Sequence, residues 1–200
     1  MGGLGKENKG VKRSRLRVAR GRTLYPMIHI IGLPGAGKTT LANRLANTLK
    51  LPVCRIGEYR RTFPLTWMGE ADAWLTLFRA LSERNWGNCI LETTGLNRRE
   101  SFLSAVLPFS QRVTLKLEAQ RKVLIARIGK KRKEEQGGDW FFSSDYADKN
   151  EFVKELYGQF MKLPADIRID TSKIQKERVY QIALKRLENY QVYLSDCYRT

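Results

Sequence analysis

Five short apolar runs, most of them rich in β-branched residues, recur along the chain at positions 27–31 (MIHII), 53–56 (VCRI), 89–91 (CIL), 113–117 (VTLKL) and 167–169 (IRI). Between them, segments 38–49, 71–81, 98–106, 120–131 and 176–190 place apolar residues near i, i+3, i+4 and i+7, the period of a helix with one buried face. Alternation of this kind predicts a five-stranded parallel sheet covered by helices, a three-layer α/β domain. Trp67, Trp74, Phe78 and Leu81 fall near helical spacing and are expected in the core. Residues 132–150 (RKEEQGGDWFFSSDYADKN) obey neither period, and are expected to form a lid between strands four and five. Within it Trp140, Phe141 and Phe142 need a surface to cover them.

The first apolar run breaks into Gly32-Leu33-Pro34-Gly35-Ala36-Gly37-Lys38-Thr39-Thr40, which satisfies G-x-x-x-x-G-K-[ST] between an expected strand and an expected helix. Glycines at these positions let backbone N–H groups turn inward as an anion nest, and the helix dipole adds to the field. The backbone of Gly32, Gly35, Ala36, Gly37 and Thr40 is therefore expected to cradle phosphates, with Lys38 on the β and γ phosphates of ATP and the Thr39 hydroxyl on Mg²⁺. Such a site needs a carboxylate near the metal, commonly at the end of a neighbouring buried strand. Glu92, closing the run Cys89-Ile90-Leu91, stands in that place. The only histidine, His29, lies in an apolar strand and is expected to be packed there, which leaves Glu92 as the candidate acid–base group.

Length and charge refine this picture. Two hundred residues suffice for one well-buried domain, expected over 23–200, and there is no internal repeat. Residues 1–22 carry Lys6, Lys9, Lys12, Arg13, Arg15, Arg17, Arg20 and Arg22 against the single acid Glu7, and read as a basic, disordered tail. The net charge of +17 suits an anionic ligand and leaves room for a nucleic-acid partner. No apolar run approaches the ~20 residues that span a bilayer, so no membrane association is expected. Cys54, Cys89 and Cys197 form no CxxC pairing and read as reduced thiols of a cytoplasmic protein.

What is done with the phosphate is narrowed by what is missing. Glu92-Thr93-Thr94-Gly95 mimics the D-x-x-G element of GTP switches, yet no N-K-x-D segment follows; a motor ATPase would want a second acid where Thr93 stands. A small kinase remains. Arg60 and Arg61 after strand two and Arg98 after strand three project from the carboxyl ends of strands, where open α/β sheets bind ligands, and are expected to clamp an acceptor.

At these residues the chain resembles known kinases. Gly57-Glu58-Tyr59-Arg60-Arg61 is similar to the GEYRR segment of 6-phosphofructo-2-kinases, and Gly32-Leu33-Pro34 to the opening of their P-loop. Glu92-Thr93-Thr94-Gly95-Leu96-Asn97-Arg98 resembles their D-A-T-N-x-x-R segment, which implies acceptor contacts for Thr94 and Arg98. Glu92 replaces the Asp of that pattern and Gly95 its Asn. The layout is also similar to the kinase domain of phage polynucleotide kinases, with Gly57 where those enzymes carry an Asp. The resemblance to small P-loop kinases further implies that Arg127 closes over ATP as a lid arginine, and that Asp170-Thr171-Ser172 runs past the adenine. The expected activity is transfer of the γ-phosphate of MgATP to a nucleotide, nucleoside or phosphorylated metabolite. Two alternatives stay open: a 5′-hydroxyl polynucleotide kinase and a nucleotide-gated nucleic-acid-binding ATPase.

Overall fold

The computed structural model describes residues 26–64, 66–100, 102–103, 111–134 and 148–199, with the backbone alone over 131–134 and 191–199. The order is β1 (Met27–Gly32), α1 (Lys38–Leu49), β2 (Val53–Arg55), α2 (Ile56–Arg60), α3 (Trp67–Ser82), β3 (Ile90–Thr93), β4 (Arg112–Glu118), α4 (Arg121–Glu134), α5 (Lys149–Lys162), β5 (Ile167–Asp170) and α6 (Lys176–Arg199). The five strands form one sheet in the order β2-β3-β1-β4-β5, every neighbouring pair parallel. The expected sheet is thus present, and the expected strand positions agree with it to within a residue or two.

Parallel strands joined by helical crossovers are covered on both faces toward the middle of the sheet, which is why β1 and β3 read as nearly continuous apolar runs. All six residues of β1 are buried, as befits the central strand. On one face Ile28, Ile30 and Leu115 pack with Leu41 and Leu45 of α1, Leu124 of α4, Phe160 of α5 and Ala183 of α6. On the other, Met27, Cys54 and Leu91 meet Trp74, Leu77 and Leu81 of α3. These are the three layers that the alternation predicts.

Several elements depart from expectation. The five-residue α2 is too short to express a helical period. The 14-residue α5 buries only Val153 and Phe160 fully, a stripe too sparse to stand out. It begins at Asp148, whose Oδ1 accepts from the N–H groups of Asn150 (2.7 Å) and Glu151 (3.0 Å). The helix expected from residue 71 begins at Trp67, because Thr66 caps it by accepting from Gly69 N at 3.1 Å. This earlier start puts Trp67 on an outer turn at 75% exposure, so its expected place in the core is corrected, while Trp74 and Leu81 are buried. Of the segment expected to be helical over 98–106, Glu100, Phe102 and Leu103 are helical among the described residues. At the expected lid, residues 132–134 extend α4 and 149–150 open α5. Positions 135–147, with Trp140, Phe141 and Phe142, lie outside the described residues, as does the basic tail.

β4 carries a lysine that an apolar strand would not ordinarily hold. Lys116 is fully buried, and its Nζ donates to the carbonyls of Met161 (3.0 Å) and Leu163 (3.1 Å) at the end of α5. It lies 3.0 Å from Glu118 Oε1 and stands over the Phe160 ring at 4.7 Å. A cation there answers the partial negative charge at the helix C-terminus and fastens the helix that follows the 135–147 segment to the sheet. Lys116→Met keeps the length and removes the donors, leaving two carbonyls and a carboxylate without their cation. The expected loss is about 3 kcal/mol, read from the urea midpoint of equilibrium unfolding; an unchanged midpoint would show that water replaces the ammonium.

Candidate active site

The turn between β1 and α1 is built on backbone geometry. Ala36 N donates to Leu33 O at 3.1 Å, while Gly35 and Gly37 sit at φ +82° and +93°, conformations that cost an L side chain dearly. Gly35 is doubly constrained, since a Cβ there would stand 2.8 Å from the Leu124 carbonyl of α4. α1 starts at Lys38 with neither a side-chain cap nor an acid in its first turn. Its first N–H groups therefore face the loop with the helix dipole behind them, the arrangement that binds an anion. The Lys38 ammonium reaches back to Leu33 O at 3.3 Å.

Register then brings a carboxylate to this helix. Pairing of β1 with β3 sets Glu92 beside Ile30, and pairing of β3 with β2 sets it beside Arg55. Glu92 is 8% exposed and both of its oxygens are engaged. Oε1 accepts from the Thr39 hydroxyl at 2.6 Å, and Oε2 from Arg55 Nε at 3.0 Å. Arg55 extends further, with Nη1 on Glu58 Oε1 at 2.6 Å and Nη2 on Asn43 Oδ1.

On the β5 side of the loop, Arg127 of α4 donates to Thr171 O (2.6 Å), to Thr171 Oγ1 (3.1 Å) and to Gly35 O (3.4 Å). The Thr171 hydroxyl lies 3.1 Å from Glu118 O and 3.4 Å from Ala36 O. Asp170 Oδ1 accepts from Ser172 N (2.8 Å) and Ser172 Oγ (2.5 Å), bonds that hold its carboxyl below the usual range. Gly35, Ala36, Arg127 and Thr171 are thus one cluster, and Thr39 with Glu92 another.

The expected acceptor residues lie on the β2–β3 side. Arg60 forms a bidentate pair with Glu70 of α3, Nε to Oε2 at 2.7 Å and Nη2 to Oε1 at 2.6 Å. Glu70 also accepts from Trp74 Nε1 (2.8 Å) and Asn97 Nδ2 (3.3 Å), so it joins α2, α3 and the turn after β3. Arg61 and Arg98 are exposed, and Thr94 Oγ1 accepts from Leu96 N at 3.4 Å. Arg55 and Glu70 belong to no motif in the sequence. A charge inside an otherwise apolar strand was the visible signal for Arg55; nothing local distinguishes Glu70 from a surface acid.

Beneath the site a polar chain crosses the sheet's α3 face. The Thr93 hydroxyl donates to Glu100 Oε2 at 2.7 Å and accepts from Gly95 N at 3.2 Å, so at 2.8 Å His29 Nε2 takes the donor role in this network. Burial lowers the His29 pKa to about 3, with Arg112 adding to the effect, and His29 is a packed strand residue as expected. Burial raises the Glu100 pKa to about 7, against the pull of Thr93 and of the Asn97 and Gly95 N–H groups.

With this geometry established, the chain can be set beside known structures. It superposes on a shikimate kinase from Acinetobacter baumannii in complex with shikimate (17% identity, 83% of this chain, 94% of that one, TM-score 0.59). A gluconokinase from Sinorhizobium meliloti matches at 17% identity over 87% and 99% of the two chains (TM-score 0.57). A sugar kinase from a Janibacter species matches at 18% over 82% and 95% (TM-score 0.57). No family model and no curated protein sequence matches the chain. The fold is the one these kinases share. At such identities the likeness is one of architecture.

Glu100 ionises near pH 4.5 when unfolded and near 7 when folded, so the fold loses stability as pH rises through that window. His29 acts at the acid end: it gains a proton below pH 6.5 when unfolded but only near 3 when folded, so stability falls as pH drops between those values. Glu100→Gln keeps the acceptor for Thr93 without the charge. Between pH 4.5 and 8 the stability difference should move in favour of the variant by on the order of 3 kcal/mol, measured by urea unfolding at each pH. A difference that is flat across this range would contradict a protonated Glu100.

Proposed function

We propose that this chain is a phosphotransferase that moves the γ-phosphate of MgATP to a small hydroxyl-bearing, anionic acceptor. The observation that carries the proposal is the bond from Thr39 to Glu92, which puts a strand-end carboxylate on the first turn of a helix whose N–H groups face an anion nest. The donor set fits Mg²⁺: a hydroxyl and a carboxylate are hard oxygen ligands, and Mg²⁺ keeps several waters and takes the rest of its shell from phosphate. When bound, Mg²⁺ neutralises charge on the phosphate oxygens.

In this reading the Gly32–Thr40 backbone binds the phosphates, and Lys38 leaves Leu33 O for the β and γ oxygens. Arg127 and Thr171 flank the nucleotide. Glu92 orients Thr39 and the water around the metal. With Arg55 on its second oxygen it is poorly placed to take a proton, and a loose phosphoryl-transfer transition state asks for little early deprotonation of the acceptor. Arg61, Arg98 and Thr94 line the acceptor side, with Arg60 and Glu70 forming its wall. The shikimate, gluconate and sugar kinases among the structural neighbours favour a small polyol or its acid over a polynucleotide as acceptor.

Screening sugars, polyol acids, nucleosides and oligonucleotides for phosphate uptake from labelled ATP tests the proposal directly. Lys38→Ala should fold normally and lose two or more orders of magnitude in turnover, because what it removes is aimed at charge developing on phosphate. Near-normal turnover in that variant would sink the phosphotransferase reading. Glu92→Gln should bind ATP within a few-fold of the parent when Mg²⁺ is absent, while turnover with Mg²⁺ present falls roughly 10²- to 10³-fold. Calorimetry and single-turnover phosphorylation on one preparation separate those two effects.

A further inference from the structure

The residue beside Glu92 remains without a role. Arg55 is the last residue of β2 and the register partner of Glu92, so their side chains leave the same face of the sheet. That face is covered by α1, where Thr39 and Asn43 are four residues apart and therefore lie on one side of the helix. The contacts close into a ring: Thr39 to Glu92 Oε1, Glu92 Oε2 to Arg55 Nε, Arg55 Nη2 to Asn43, and α1 back to Thr39. The remaining guanidinium nitrogen, Nη1, is on Glu58 of α2, one turn before Arg61.

From this ring we infer that Arg55 is a positioning residue which holds the Glu92 carboxylate in register with Thr39, so that the metal side of the site is set before nucleotide arrives. The inference rests on the phosphotransferase reading above. Three nitrogens of one planar group meet three different structural elements, β3, α1 and α2. A point charge would neutralise Glu92 but could not orient it, because an ammonium lacks the fixed fork that meets all three partners at once. Nothing in the arrangement asks Arg55 to touch nucleotide or acceptor.

The experiment reads binding rather than turnover. Affinity for the non-hydrolysable β,γ-imido analogue of ATP is measured by calorimetry with and without Mg²⁺, and the ratio of the two reports how well the metal side is formed. Arg55→Met is expected to leave the metal-free affinity within about two-fold and to cut the Mg²⁺ enhancement about ten-fold, the usual scale for losing an outer-shell partner of a metal ligand. Arg55→Lys should recover less than half of that loss, and Asn43→Ala should give a smaller loss in the same direction. Glu92→Gln should lose the enhancement as well, and the Arg55→Met, Glu92→Gln double variant should be no worse than Glu92→Gln alone, since Arg55 acts through that carboxylate. Additive losses overturn the inference, as does full recovery by lysine. If Glu92→Gln loses the enhancement while Arg55→Met keeps it, the positioning role fails and the phosphotransferase reading stands. If Glu92→Gln keeps it, both the metal role of Glu92 and the inference fall. Should Arg55→Met not fold, Arg55→Lys and Asn43→Ala decide the question alone.

Discussion

A carboxylate at 8% exposure needs partners for its charge, and Glu92 has two, one from each direction the chain can supply at that point. Thr39 comes from the helix that follows the central strand, and Arg55 from the strand on the far side of β3. The shared carboxylate therefore links β1, through α1, to β3 and β2. The Ile30–Glu92 and Glu92–Arg55 registers are those that bring all three groups to the same height at the carboxyl edge of the sheet. A slip of one residue in the β1–β3 pairing would turn Glu92 to the α3 face, into the cluster of Trp74 and Leu77 and away from Thr39 on α1.

The parts of this arrangement that are legible in sequence are those whose evidence is local. Gly-x-Gly-Lys-Thr lies within a few residues of a strand that is apolar apart from His29, and a charge ending a buried strand is conspicuous, so both the anion nest and Glu92 could be expected. The strands were readable because each keeps apolar residues at its buried positions, nearly continuous in β1 and β3 and alternating with exposed Arg168 and Asp170 in β5. α2 was not, being shorter than two turns, and α5 was hidden by the small number of its residues that are buried. Trp67 misled because spacing identifies a face but does not fix where the helix begins, and the Thr66 cap moved that start outward. Arg55 shows in the sequence only as a charge inside a short strand, and its role depends on Glu92, 37 residues away; Glu70 looks like a surface acid until the fold brings Arg60, Trp74 and Asn97 onto it.

Buried ionisable groups in this fold follow two strategies. Lys116 keeps company with two carbonyls and a carboxylate, replacing its lost hydration by fixed dipoles and an opposite charge. His29 and Glu100 have no such cage; their oxygen and nitrogen atoms meet through the Thr93 hydroxyl, and burial drives both toward neutral forms. The difference has a structural logic. Lys116 fastens a helix that has only two fully buried residues to hold it, whereas Thr93 lies at the end of a strand already secured on both sides by β1 and β2. There a hydrogen-bonded chain is enough to fix the turn that carries Thr94, Asn97 and Arg98.

The carboxyl edge of the sheet thus has two sides with different electrostatics. Toward β4 and β5 the arginine that approaches the loop, Arg127, donates to two carbonyl oxygens and a hydroxyl rather than into a bidentate carboxylate pair, and so brings its positive charge to the loop. Toward β2 the arginine that had the strongest motif behind it, Arg60, has two nitrogens of its fork on Glu70, and Glu70 is itself fixed by Trp74 and Asn97. Pulling Arg60 onto a ligand would strand a nearly buried carboxylate, at a cost of several kcal/mol by the usual scale for a broken buried pair. In the proposed reaction Arg60 therefore shapes the wall behind the acceptor, while exposed Arg61 and Arg98 are the side chains that an anionic group on the acceptor meets first. Discrimination among acceptors then depends on how those two arginines and Thr94 are spaced around a rigid Arg60–Glu70 support, since a fixed wall rejects a misfitting ligand more sharply than a mobile one.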